Sequence, residues 1–422
     1  MDETNRLAPL WKFAEVSPPT PGFTELTRND EVTFIPLEDV WPTHTAENFQ
    51  TVGWETRLTG YTPFRRGDLL LPKVTPTVTH GRTMIADITT NLGVASTEVY
   101  TVRTRPNTDP RWLAYVLVET EFLGLAGASV QGTGGLKRIS TQFVESYPLP
   151  DATPDEQRAI ADYLDRETAE IDGMRADLDE MERLLTERKQ TTVTESIAVL
   201  EGDPNGRKAS LNSVAELISS NVDKKSRKGE KPVRLVNYTD VYYGDILTAD
   251  ETYMAATATA EQIQRVGVKD GDVIFTKDSE TANDIGIPAL ISKPDPDMVC
   301  GYHLTIARPR TSLVYPRFLY WAFMSGQTKR YWEKSANGVT RYSIGSTVTA
   351  GLRIPLPPLA EQRSIADEID RETAEIDSML SDITKLRDLL AERRAAVISA
   401  VLIGQIDIPV SPTHKDEAHA QS

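Results

Sequence analysis

Two long stretches of the chain carry apolar residues at alternating steps of three and four. In the first they fall at Ile160, Leu164, Ile171, Met174, Leu178, Met181 and Leu185. In the second they fall at Ile365, Ile369, Ile376, Met379, Ile383, Leu386 and Leu390. This is the spacing of a coiled-coil seam, with polar residues on the other faces. Each seam skips one step, where the sequence places Glu167 and Glu372, and a polar group at one seam position can fix register. Pro-rich stops, "PLPDATP" and "IPLPP", precede both helices and end whatever comes before. Elsewhere the pattern is short β-type runs such as "VTFIPL", "DLLLP" and "VYTVRTRP", then "VRLVNY", "DVIFT" and "LTIARP", most of them bounded by Gly, Pro, Asp or Asn. "PRWLAYVLVETEFLGLA" and "PRFLYWAFMSGQTKRYW" each read as a helix with Pro in the first turn. The pattern predicts α+β halves, each followed by a long helix.

The chain writes itself twice. "EQRAIADYLDRETAEID" (Glu156–Asp172) and "EQRSIADEIDRETAEID" (Glu361–Asp377) agree at 14 of 17 positions, 205 residues apart. "GDLLLPK" answers "GDVIFTK", "PRWLAY" answers "PRFLYW", and "GLKRIS" answers "GVTRYS", in the same order and at nearly the same offset. A period near 200 residues is too long for a solenoid. The reading is a pseudo-two-fold repeat: α+β domains at 1–150 and 201–357, helices at 151–200 and 358–408, and a disordered tail at 409–422. Each helix alone would expose an apolar stripe. The tethered partner has the advantage in effective concentration over a second chain, so an intramolecular antiparallel pair is expected, with the two domains held at opposite ends. From Asp155 to Ile197 such a rod is roughly 60 Å long at the helical rise per residue.

Charge modifies this picture in one respect. The net charge is −16, which taken whole argues against nucleic acid. It is concentrated in the helices: residues 151–200 hold 14 acidic against 6 basic side chains, and 358–408 hold 11 against 6. Residues 201–357 hold 18 against 20. A global charge argument therefore misdescribes what lies between the helices, which is near neutral with local basic clusters. One cysteine, Cys300, excludes a disulfide framework and reads as a small core residue in a reducing cytosol. No apolar run reaches membrane length, and the first residues do not read as a secretory signal.

Chemistry is sparse. There is no dinucleotide loop and no phosphate loop; "GTGGLK" lacks the spacing and the Ser/Thr. The tetrapeptides of amino-methyltransferases are missing, and the five histidines have no metal spacing. Asp272 and Lys277 could suggest a nuclease pair, but a turn aspartate and a surface lysine flanking a strand fit better. No catalytic residue and no metal ligand is assigned.

The Pro-Leu-Pro stop, "EQRxIADxxDRETAEID", a heptad helix ending "LLxER" and two unlike α+β halves resemble the specificity subunit of type I restriction–modification systems, over essentially the full length. The resemblance implies a non-catalytic, cytoplasmic DNA-recognition subunit. Each half would read one part of a bipartite double-stranded DNA site, and the helices would set the spacing and dock two methyltransferase (modification) subunits. Restriction/translocase subunits would join, with S-adenosylmethionine and ATP/Mg bound only by the partners. A modification-only or type IIB-like complex and a protein scaffold are the alternatives.

Base and phosphate contacts need Arg, Lys, Asn, Gln, Ser or Thr on loops that reach DNA. In the first half the candidates are Ser129, Gln131, Thr133, Lys137 and Arg138, with His80 and Arg82 as phosphate contacts. In the second they are Asn337, Thr340, Arg341 and Tyr342, with the basic run Lys224, Lys225, Arg227 and Lys228. Lys73 matches Lys277 and Arg138 matches Arg341 between copies, which suits a contact that both halves need, such as phosphate.

Overall fold

The repeated sentence turns out to be a docking surface. In a computed structural model, which describes residues 6–131, 137–202, 206–406 and 408, the two long helices span Pro154–Gly202 and Leu359–Leu402. The chain divides into two compact units, Met1–Asp177 with Lys385–Ser422, and Leu178–Thr384. Each unit therefore holds the beginning of one long helix and the end of the other.

Within each unit those two helix segments are antiparallel and bonded. Asp172 lies 3.6 Å from Arg394 in the first unit, and Asp377 accepts from Lys189 at 2.7 Å in the second. The pairs are equivalent, since both members shift by the repeat offset. The predicted intramolecular pairing is present.

Each helix start packs onto its own domain through the identical residues. Gln157 and Gln362 are buried. Gln157 Oε1 accepts from the Asp109 amide at 2.9 Å, and its Nε2 donates to the Ala152 carbonyl at 2.8 Å. Gln362 Oε1 accepts from the Tyr315 amide at 2.8 Å, and its Nε2 donates to the carbonyls of Pro357 (2.8 Å) and Leu313 (3.1 Å). Both amides belong to the residue just before a Pro-started helix, Pro110–Val116 or Pro316–Met324. The arginine after each proline then ties back: Arg111 to Asp162 and Asp165, Arg317 to Asp370. The "PR" and "EQR…D" repeats are thus two sides of one contact, which is why both are kept.

The seam differs from the expected one. The buried line is Gln157, Ala161, Leu164, Thr168 and Ile171, repeated as Gln362, Ala366, Ile369, Thr373 and Ile376. The polar seam position is a threonine, and Glu372 lies exposed with Glu167 at the edge. The reason is hydrogen bonding. Thr168 and Thr373 each donate to the carbonyl four residues earlier at 2.7 Å, so the hydroxyl enters satisfied, whereas a buried carboxylate would carry an uncompensated charge. Of the expected seam residues Leu164, Ile171, Ile369, Ile376 and Ile383 are buried. Ile160, Ile365, Met174, Leu178, Leu185 and Leu390 are half-buried, and the first two pack against their domain cores. Met181 and Met379 remain 51% exposed and Leu386 47%. A heptad pattern reports an apolar stripe, not what covers it.

Each domain is built around two sheets. In the first, strand Val99–Thr104 sits between Ala14–Val16 and Leu69–Pro72, and a second sheet orders Gln50–Gly53, Glu31–Ile35, Leu92–Ala95 and Thr62–Arg65. In the second, Leu304–Pro309 sits between Ala215–Ser219 and Val273–Thr276. Its smaller sheet pairs Lys231–Val236 with Met254–Ala258 and, in parallel, with Met298–Cys300. The central pairs share register, Leu69 facing Val102 and Val273 facing Ala307. All six strand runs named from the sequence form strands. The two long helical runs do not stay whole. Each breaks in two, at Glu119 and Ser325, because these side chains cap a new helix by accepting from backbone amides two or three residues on. Cys300 is a buried core residue.

The "GD" turns that precede the matched strands carry the internal ion pairs. Gly67 and Gly271 take the left-handed conformation, φ 85° and 83°. Asp68 then accepts from Arg103 at 2.8 and 2.7 Å, and Asp272 from Arg308 at 2.9 and 2.8 Å. These carboxylates are almost fully buried. Asp272 is therefore committed to Arg308 on the neighbouring strand, not to Lys277.

Candidate nucleic-acid interface

Each domain places one basic site at the same point of its fold, where the strand carrying the matched lysine ends. In the first domain the Lys73 amide donates to the Glu98 carbonyl and the Ile139 amide donates to the Lys73 carbonyl, both at 3.0 Å. The Lys73 ammonium stands 5.0 Å from the centre of the Tyr100 ring. Arg138, at the foot of the Gly-rich loop, exchanges two backbone hydrogen bonds with Gln131 at 2.9 Å. Its guanidinium grips Glu98, Nε at 2.7 Å and Nη2 at 2.6 Å. That contact holds the Glu98 carboxyl below the usual range, while burial pulls Lys73 down. Gln131 and Lys137 are exposed beside them. Thr133 lies outside the described residues. Ser129 turns its hydroxyl back onto the Ala126 carbonyl.

In the second domain the Lys277 amide donates to the His303 carbonyl and the Ile344 amide to the Lys277 carbonyl, again at 3.0 Å. Position 303 is therefore the counterpart of 98, and 344 of 139. This corrects the sequence match at the arginines. The backbone counterpart of Arg138 is Ser343, since Ser343 pairs with Asn337 as Arg138 pairs with Gln131. Arg341 is two residues out of register, yet its Nη2 reaches His303 at 3.1 and 3.2 Å from the two ring nitrogens. Two arginines that leave the backbone at different places thus converge on equivalent side chains. His303 also bonds Asp278 at 2.9 Å. Tyr342 and Ser343 pair in a short ladder with Ser279 and Asp278. Asn337, Thr340 and Arg341 are exposed and Tyr342 is half-buried.

The basic loop joins this second site. Its stem is held where Val222 bridges Gly301 and accepts from the Tyr302 amide at 3.0 Å, and Lys277 Nζ donates to the Ser220 carbonyl at 3.3 Å. From that stem Lys224, Lys225, Arg227 and Lys228 stand exposed. Sequence reading missed Glu98, Tyr100, Tyr302 and His303. The signal was present: "EVYTVR" and "HLTIAR" align at the repeat offset and share the arginine of the internal ion pair, Arg103 and Arg308.

Two of the expected phosphate contacts lie elsewhere. His80 is exposed at the end of the Thr77–His80 turn. Arg82 is spent internally: Nε donates to the Val40 carbonyl at 3.0 Å and Nη2 to those of Leu37 (2.7 Å) and Glu38 (2.6 Å), and its plane lies 4.2 Å from the Trp41 ring centre. Replacing Arg82 by alanine is expected to loosen the 37–49 segment and to cost about 2 kcal/mol, from three lost hydrogen bonds and a cation–π contact. Limited proteolysis and thermal denaturation check this. A loss of DNA affinity with unchanged stability would contradict it.

Twin α+β domains, each seated on the start of its own long helix and on the end of the other, define the class: the fold is that of the type I restriction–modification specificity subunits. A family model described as the type I restriction modification DNA specificity domain matches residues 208–385. The specificity subunit of type I restriction enzyme EcoEI from Escherichia coli is 26% identical over 153 residues, 35% of this chain and 25% of that subunit. The chain thus matches about a quarter of the length of that curated relative. A chain from a type I R-M system, solved to explain complex assembly and conformational transition, superposes with a TM-score of 0.67 at 16% identity, covering 96% of this chain and 99% of that one. The HsdS subunit of Thermoanaerobacter tengcongensis superposes at 0.53 with 17% identity, covering 95% and 97%. The fold of this chain is thus that of solved chains of type I restriction–modification systems, and residues 208–385 carry the specificity-domain pattern.

Proposed function

We propose that this chain is the sequence-reading subunit of a type I restriction–modification complex and carries no active site of its own. One observation carries the reading. The two domains share a backbone frame around positions 73/277, 98/303 and 139/344, and dress it differently: Glu98 and Tyr100 in one, His303 and Asp278 in the other. A common frame with different polar side chains is what two unlike half-sites require. The exposed lysines and arginines of the 224–228 loop supply phosphate contacts, which position without reading sequence. The long helices set the distance between half-sites. The apolar residues they leave exposed, Met181, Leu184 and Met379 in the second unit and Leu386 and Leu389 in the first, offer methyltransferase subunits a surface to bury. S-adenosylmethionine chemistry, and ATP-driven restriction where that subunit is present, belong to the partners.

The test is methylome sequencing of a methylation-free host that expresses the chain with its neighbouring methyltransferase gene. The expected motif is split, two short half-sites around a fixed run of unspecified bases. Exchanging residues 1–150 for those of another specificity subunit should change one half-site and keep the other. A continuous motif, or a change in both half-sites, would refute the two-reader arrangement.

A further inference from the structure

We infer that Glu98 is a positioning residue that presents Arg138 to a guanine in the half-site of the first domain. The inference rests on the DNA-reading role proposed above and assigns it a base. A guanidinium has five N–H donors in one rigid plane. Glu98 occupies one edge, taking Nε–H and one hydrogen of Nη2. Among the described residues no partner engages the other edge, formed by Nη1 and the second Nη2 hydrogen, which presents two parallel donors. That end-on fork matches the O6 and N7 acceptors of guanine in the major groove, and no other base offers two acceptors there.

The geometry holds the fork ready before DNA arrives. Arg138 is fixed at its backbone by Gln131, and Glu98 by the Lys73 amide on its carbonyl. The ion pair sits at the surface, the arginine side chain 44% exposed and the glutamate 26%, so the free edge is open to a ligand. A surface pair of this kind contributes little to stability. Its consequence is orientation: a side chain with four rotatable bonds is ordered in advance, which lowers the entropic cost of contact.

The second domain lacks this device. Its arginine comes from a different backbone position and contacts an imidazole through Nη2 alone, leaving Nε unengaged by His303. Arg341 is therefore not presented as an end-on fork, and the guanine preference belongs to one half-site only.

The test selects duplexes from a randomised pool with the full chain in complex with its methyltransferase subunits, followed by sequencing. The wild-type complex is expected to select a guanine at one position of the half-site assigned to residues 1–150. Glu98→Gln and Arg138→Ala should each reduce that preference by roughly tenfold or more while leaving the other half-site intact. The double variant should lose no more than Arg138→Ala alone, because the glutamate acts through the arginine. Glu98→Asp, which keeps the charge, should retain part of the preference. A uniform loss of affinity across all sequences in Glu98→Gln, or an unchanged guanine, would overturn the assignment and leave the two-reader function standing. No selected motif with the wild-type complex would overturn both.

Discussion

Replacing Gln362 by leucine is expected to destabilise the second unit by about 2–4 kcal/mol, far more than an ordinary helix substitution. Leucine fills a similar volume, so packing is not the issue. The side chain is fully buried and closes three hydrogen bonds at once, to the Tyr315 amide and to the carbonyls of Leu313 and Pro357. An apolar residue would leave those groups without partners in the same place. Glutamate should be at least as harmful. It keeps the acceptor for the Tyr315 amide but points a carboxylate oxygen at two carbonyls. Gln157→Leu should act in the same direction on the first unit, more mildly, because Gln157 closes two such bonds. Denaturant unfolding followed by tryptophan fluorescence measures this, with Trp321 and Trp332 buried in the second core and Trp112 in the first. Stabilities within 1 kcal/mol of wild type would show that the glutamine is not the hinge-pin between domain and helix.

The second large effect is expected at the buried aspartates of the "GD" turns. Asp272→Ala should cost about 3–5 kcal/mol, the range for removing one partner of a buried ion pair. Asp272 accepts two hydrogen bonds from Arg308 and one from the Lys269 amide at 2.8 Å, so alanine strands both a guanidinium and a turn. Arg308 is only 16% exposed in the side chain and cannot readily recover water. Adding Arg308→Leu to Asp272→Ala should restore part of the loss, because the pair as a whole contributes less than either broken half suggests. Asp68 and Arg103 occupy the same place in the first domain and should repeat the result. A cycle in which the second substitution adds fully to the first would contradict the pairing as the source of the effect.

These two cases also show where sequence reasoning succeeds. The identity of "EQRxIADxxDRETAEID" in two places was visible at once, and so were the matched "GD" turns and the strands after them. What could not be read was the purpose of the identity. The heptad pattern pointed to a seam of large apolar residues with a glutamate at the skipped step. The repeated face instead turns glutamine, alanine and threonine towards the domain, and small or polar residues of this kind are invisible to a hydrophobic count. The candidate site was half legible. Lys73, Arg138, Lys277 and Arg341 were singled out by loop chemistry and by the match between the copies. Glu98 and His303 were missed because they sit at strand starts, and the apparent match of Arg138 with Arg341 was two residues out of register.

By itself the sequence determined the duplication, the α+β and helix alternation, the acidic character of the helices and a family resemblance. These are properties of periodicity and of local composition, and they survive without knowing what touches what. The tertiary structure decided which face of each helix is buried, which charges are spent inside and which arginine is held by a carboxylate at the surface. Such outcomes depend on hydrogen-bond partners that lie 40 or more residues apart, as Arg138 and Glu98 or Arg317 and Asp370 do. A side chain's role follows from the partner that satisfies it, and only the fold brings that partner within reach.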